Sequence, residues 1–125
     1  MKVIYVAGPY RPKVPNDCWQ MENNIRRAEA LALEVWRLGA AAICPHANTR
    51  FFQGAAPDKV WLDGDIEIML RCDAVLMTPD WAESSGACQE RLEAIADGLP
   101  VFYTLPALEI WVKTGDFIEG ACDHA

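Results

Sequence analysis

The stretch Ser84-Ser85-Gly86-Ala87-Cys88-Gln89-Glu90 combines residue types that can hold an anion and attack beside it. An apolar run, Ala74-Val75-Leu76-Met77, precedes it, and a helix-like stretch through Ala96 follows. The order reads as strand, small-residue loop and helix, with one carboxylate about a turn and a half into the helix. Ser84, Ser85 and Gly86 can bring hydroxyls and bare backbone N–H groups to an anion at the helix start. Glu90 then projects near the same bound group. A phosphate cradle with a carboxylate beside it points to chemistry on a sugar phosphate or nucleotide.

Other residues can join that chemistry, and each has a plainer reading. For Glu90 the plainer reading is the commonest fate of glutamate, a solvated helix face. Its neighbours at helical spacing, Ala87 and Ala94, are small and leave room for a ligand, whereas Cys88, Leu92 and Ile95 read as the buried stripe. Asp65 adjoins the apolar residues Leu62, Ile66 and Met69, where partial desolvation would raise its pKa as proton transfer requires. Asp63 and Glu67 are its rivals. Tyr5 is either a core aromatic of a strand or a group of the site. Arg11 follows Gly8-Pro9 where the first strand opens, either as an exposed loop arginine or as a phosphate contact. His46 reads as a loop histidine first and a functional group second. Trp81, beside the serines, reads as core first and as a base-stacking ring second.

Positioning these groups falls to alternating strands and helices. Residues 2–7 form a first strand ended by Gly8-Pro9, and Asn16 or Asp17 can cap the helix that runs from about Cys18 to Leu38. Ile25, Ala28, Ala32, Val35 and Trp36 recur there at helical spacing, and Gly39 closes it. Ala41 to Cys44 is a second strand, and His46 to about Pro57 a long loop of the kind that often carries function. Asp58 to Arg71 reads as a helix, 74–77 as the third strand, and 85–97 as the third long helix closed by Gly98. Leu99 to Tyr103 is the fourth strand, 105–114 a last helix, and Gly120 to Ala125 a loose tail. Continuous apolar strands alternating with helices predict one α/β domain over 1–125. Its architecture is a three-layer open parallel sheet, flavodoxin- or Rossmann-like. Ligands of such sheets bind outside the carboxyl ends of the strands, where Gly8 to Arg11, His46 and Ser84 to Glu90 all fall.

Composition narrows the partners. With 52% apolar and 23% charged residues, the 125-residue chain can bury a core without disulfides or metal. Its net charge of −7 excludes the basic footprint of a DNA or RNA polymer partner but not a small anion held locally. No apolar run approaches the ~20 residues that span a bilayer, and the N-terminus alternates like a strand, so a cytoplasmic protein is expected. The five cysteines are scattered, and Cys44-x-His46 alone lacks the paired spacing of a zinc site. Gly8-Pro9 lacks the spacing of a dinucleotide or ATP fingerprint. No metal or organic cofactor is expected.

Three features together resemble the nucleoside 2-deoxyribosyltransferase superfamily, which includes 2′-deoxynucleoside 5′-phosphate N-hydrolases. They are Tyr5-Val6-Ala7-Gly8-Pro9-Tyr10, Asp65 eight residues before Asp73, and Ser84-x-Gly86-x-x-x-Glu90, spread from Tyr5 to about Phe102. The resemblance implies that Glu90 is the nucleophile at the anomeric carbon, Asp65 handles the proton of the leaving base, and Tyr5 hydrogen-bonds the nucleophile. It also implies a phosphate site, because transferases of the family often carry aspartate where this chain has Ser84. Serine donates to a phosphate that a carboxylate would repel. The chain departs from the family in placing Arg91-Leu92 after the glutamate, where Leu-Gly is usual.

The expectation is therefore an N-glycosidase acting on a (deoxy)nucleoside 5′-monophosphate, with Glu90, Asp65 and Tyr5 catalytic. Gly8, Pro9, Arg11, His46, Ser84, Ser85 and Gly86 bind the substrate. Base exchange from the same intermediate is the near alternative, and a nucleotide sensor without catalysis is the rival from another class. A homodimer or higher homo-oligomer is also expected. Trp111, Phe117 and Ile118 look like an uncovered apolar surface, and the resembling family completes its sites across a subunit interface.

Overall fold

The computed structural model describes residues 1–124. Five strands form one sheet: β1 (Val3–Ala7), β2 (Ala41–Ile43), β3 (Ala74–Met77), β4 (Val101–Phe102) and β5 (Cys122–Asp123). Five α-helices cover it: α1 (Cys18–Arg37), α2 (Pro45–Asn48), α3 (Asp58–Leu70), α4 (Ser85–Ala96) and α5 (Leu105–Thr114). The strand order is β2-β1-β3-β4-β5, parallel except for β5, which runs antiparallel beside β4. This is the flavodoxin-like order, and it reverses direction between β1 and β3.

Alternation along each strand explains the three layers. Ile4, Val6, Leu76 and Phe102 point to one side, where they meet Ala28, Ala32 and Val35 of α1 and Leu108 and Trp111 of α5. Tyr5, Ala7, Val75, Met77 and Val101 point to the other, against Met69 of α3 and Ala87 and Ala94 of α4. With side chains of opposite parity on opposite faces, both faces of β1 and β3 must be apolar. Each large side chain so buried contributes about 1.5–3 kcal/mol.

Local signals set the helix starts. The Asp17 carboxylate accepts from the Gln20 N–H at 3.1 Å, and Ser84 and Thr104 cap α4 and α5 in the same way. At the opposite end of the sheet from the helix starts, Asp73 accepts from the Val3 N–H at 2.7 Å. This carboxylate fastens the entrances of β1 and β3 together.

Three expectations need correction. The tail is not loose through its whole length, because Cys122 and Asp123 form β5. Arg91 holds it there: its guanidinium donates to Tyr103 Oη at 2.6 Å and to Asp123 at 3.2 Å, and Tyr103 in turn donates to Asp123. The departure from Leu-Gly after Glu90 thus has a structural use. Second, α4 buries Ala87, Glu90 and Ala94 rather than Cys88, Leu92 and Ile95. Leu92 is 60% exposed. Small residues let the α4 backbone lie close to the sheet, and that approach carries Glu90 inward. Third, Trp111 and Phe117 are not an open patch. Trp111 is only 8% exposed, and its ring lies 5.2 Å from Phe102, with Phe117 stacked on both. Of the apolar surface offered for a dimer, Trp111 and Phe117 are engaged within the chain and Ile118 alone stays exposed.

Among the described residues, no helix is long and apolar enough to cross a membrane.

Candidate active site

The loops that leave β1, β2 and β3 surround a cleft of about 530 Å³ at the carboxyl ends of those strands. That volume suits a small organic ligand. Gly8, Pro9, Arg11, His46, Asp65, Ser84, Ser85, Gly86 and Glu90 all line it, so all but one of the expected site residues meet there. The exception is Tyr5, which is fully buried behind the cleft wall. Its phenol donates a hydrogen bond to Glu90, a side chain itself only 8% exposed.

Burial governs the acid–base character of this group. It pushes the Glu90 carboxyl up to about 7; the Tyr5 hydrogen bond works against that rise, and the Asp65 charge adds to it. Burial also lifts Asp65 to about 6. Tyr5 is raised well above the usual phenol range, by burial first and then by the charges of Glu90 and Asp65. One buried and one half-buried carboxyl group in one cleft are thus both raised toward neutrality, where catalytic acids and bases are placed.

The walls are held in part by Thr78 and Asn24, which residue spacing alone did not single out. A Cβ on Gly8 would fall 2.4 Å from Thr78 Oγ1, so only glycine lets the β1 loop lie against the loop after β3. The Gly8 carbonyl accepts from His46 Nε2 at 2.8 Å. His46 is buried, with its pKa lowered chiefly by desolvation, and its ring packs 5.2 Å from Tyr10. Its visible work is to clamp that loop. Asn24 of α1 is 5% exposed and donates to the Tyr10 carbonyl at 3.2 Å. An amide one turn before Ala28, on an otherwise apolar stripe, was the available signal.

At the mouth, each cation meets a carboxylate. Arg11 pairs with Asp58, Arg27 with Asp80 at 3.3 Å, and Lys13 with Glu83 at 3.4 Å. Ser84 spends an oxygen lone pair on the Ala87 N–H at 3.1 Å, which leaves its hydroxyl hydrogen available. A Cβ on Gly86 would meet only Ser84 Oγ, at 3.8 Å, so the protein itself does not require glycine there. The bare backbone faces the cleft. Trp81 does not: its ring packs 5.7 Å from Tyr103 and under the Arg91 guanidinium, so it belongs to the β5 latch. Among the described residues, no group of three or more His, Cys, Asp or Glu is placed to hold a metal ion.

A family model described as a domain of unknown function, DUF1937, matches residues 2–105. The chain belongs to this family. The match takes in all the candidate site residues and ends before most of α5 and β5. No curated protein matches the chain. Among solved structures, the DUF1937 chain is similar to a 2-deoxyribosyltransferase from the psychrotolerant bacterium Bacillus psychrosaccharolyticus. The TM-score is 0.57 at 18% identity, over 79% of this chain and 69% of that one. At that identity the likeness establishes the shared fold. The expected flavodoxin- or Rossmann-like α/β fold is met at that level.

Proposed function

We propose that this DUF1937 protein breaks the bond between base and sugar in a nucleoside 5′-monophosphate, with Glu90 as nucleophile. The observation that carries the reading is the hydrogen bond from Tyr5 to Glu90 at the wall of a cleft that Asp65 also lines. A buried carboxylate held by a donor is fixed in aim, and catalysis by proximity needs that aim.

The chemistry balances without a cofactor. A Glu90 oxygen attacks C1′, the C1′–N bond breaks, and its electron pair leaves with the base. Asp65, as the acid, gives its proton to the departing base. Water then attacks C1′ of the glycosyl–Glu90 ester, Asp65 takes its proton, and free sugar phosphate leaves with Glu90 restored. This is the two-carboxyl logic of retaining glycosidases. Burial raises both carboxyls, so the Glu90–Asp65 pair retains a proton near neutrality. A base that accepts from Asp65 draws the proton there, and Tyr5 steadies the Glu90 anion that results.

Support for the phosphate comes from the exposed start of α4 at Ser84 to Gly86 and from Arg11 and Arg27 at the mouth. The phosphate would take these arginines from Asp58 and Asp80. The sugar class is deoxyribose in this reading, by the likeness to the 2-deoxyribosyltransferase.

That same likeness favours a second outcome, transfer of the sugar to another base. Incubation with deoxynucleosides, ribonucleosides and their monophosphates, read by chromatography for free base, tests the reading. Base release from none of them contradicts it. Excess competing base then separates hydrolysis from exchange.

A further inference from the structure

Trp61 stands on α3 one turn before Asp65, and both line the cleft. Among the described residues, its Nε1 is the one buried side-chain nitrogen or oxygen without a hydrogen-bond partner. The other buried polar groups around the cleft are engaged: Glu90 by Tyr5, His46 by Gly8, Asn24 by Tyr10 and Thr78 by Asp80. An indole N–H can only donate, and buried donors as a rule find acceptors. Phe52 packs against this indole with ring centres 5.5 Å apart. Nothing in the glycosidic chemistry above uses Trp61.

Residues four apart on a helix lie one above the other on the same face. We propose that Trp61 Nε1–H and the Asp65 carboxyl form a two-donor edge that recognises a nucleobase with two adjacent acceptors. The inference rests on the glycosidase reading and names its leaving group. Guanine and hypoxanthine offer N7 and O6 side by side, whereas adenine replaces O6 with an amine that donates. In the oxopurine, Asp65 gives its proton to N7 as the C1′–N bond breaks, while the indole holds O6. In adenine, the amine hydrogens face the indole hydrogen and the pairing fails. Burial raises the Asp65 pKa, the direction that suits a carboxyl handing a proton to the base.

The test uses two substrates that differ at this edge, the 5′-monophosphates of 2′-deoxyinosine and 2′-deoxyadenosine. The wild-type protein should release hypoxanthine with a kcat/KM about tenfold above that for adenine, the size of one net hydrogen bond. Trp61→Phe keeps the ring and removes the donor, so it should abolish the preference by lowering the hypoxanthine rate alone. An independent reading comes from the nitrogen-15 spectrum of the wild-type protein. There the Trp61 indole signal, assigned by its loss in Trp61→Phe, should move downfield with free hypoxanthine and stay put with adenine. Base release without a preference, or an indole signal unmoved by saturating hypoxanthine, overturns the recognition edge and leaves the glycosidase reading standing. A signal moved by hypoxanthine in a protein that releases no base does the reverse.

Discussion

Tyr5 and Glu90 are 85 positions apart in sequence, yet the phenol of one donates to the carboxylate of the other in the buried wall of the cleft. Tyr5 sits mid-strand in β1 with no exposed surface, and Glu90 lies on the face of α4 that packs against the sheet. The pair joins the rigid centre of the fold to the groups that line the ligand site. A buried charge with one hydrogen bond is expensive for the fold and useful for chemistry.

The first consequence concerns Glu90→Gln. The folded protein holds a proton on Glu90 up to about pH 7, whereas the unfolded chain releases it near 4.5. Stability therefore falls as pH rises from 4.5 to 7, and the full cost of about 3 kcal/mol is present above 7. Glutamine carries no charge and still accepts from Tyr5. The variant should melt at least roughly 5 °C higher than wild type at about pH 8 and nearly the same at about pH 4. Equal melting temperatures at both pH values would contradict the burial of a charge at this position.

The pH dependence of base release should be bell-shaped. Activity needs one proton on the Glu90–Asp65 pair, so kcat/KM should fall below about 6 and above about 7, the values set by burial of the two carboxyls. A rate that climbs steadily through pH 8 (about one unit beyond the upper limb) would show that Asp65 supplies no proton.

Tyr5→Phe removes the donor that holds Glu90 down. The Glu90 pKa should rise further, which moves the alkaline limb of the profile to higher pH and makes the active proton arrangement rarer. The loss in kcat should be about ten- to hundredfold, the range for a hydrogen bond to a charged group. An alkaline limb that stays in place would separate Tyr5 from the titration of Glu90.

Ser84→Asp keeps a helix cap, since aspartate serves that position as well as serine. It also sets a negative charge where the 5′-phosphate is proposed to sit. KM should rise by tenfold or more, roughly, for monophosphates and change little for nucleosides. Equal damage to both substrates would argue against a phosphate at the start of α4.

Much of the frame is legible in the residues, because short unbroken apolar runs such as Ala74 to Met77, set between helical stretches, fit strands buried on both faces. The meeting of Gly8, His46, Asp65 and Glu90 follows from that frame, as each ends or follows an element on the same side of the sheet. Where the reading failed, tertiary contact decided. Cys122 and Asp123 make a strand of two residues, far too short for a periodic signal, and Arg91 and Tyr103 hold it in place. On α4, Leu92 and Ile95 outrank alanine in hydrophobicity and so point to the wrong face as the buried one. Close approach to the sheet favours Ala87 and Ala94 instead. Trp61 is one of five tryptophans and has no mark of its own in the sequence, since an unpartnered indole hydrogen exists only in three dimensions.

The central claim is a covalent bond between Glu90 and the sugar. A deoxynucleoside 5′-monophosphate with fluorine at C2′ slows the water step, because the electron-withdrawing atom disfavours the positive charge that develops at C1′. Mass spectrometry of wild-type protein treated with it should find the sugar phosphate attached to the peptide that carries Glu90, with one equivalent of base released. Glu90→Gln should form no adduct and release no base. Base release by Glu90→Gln at more than about a tenth of the wild-type rate, or an adduct on any other residue, would contradict the account.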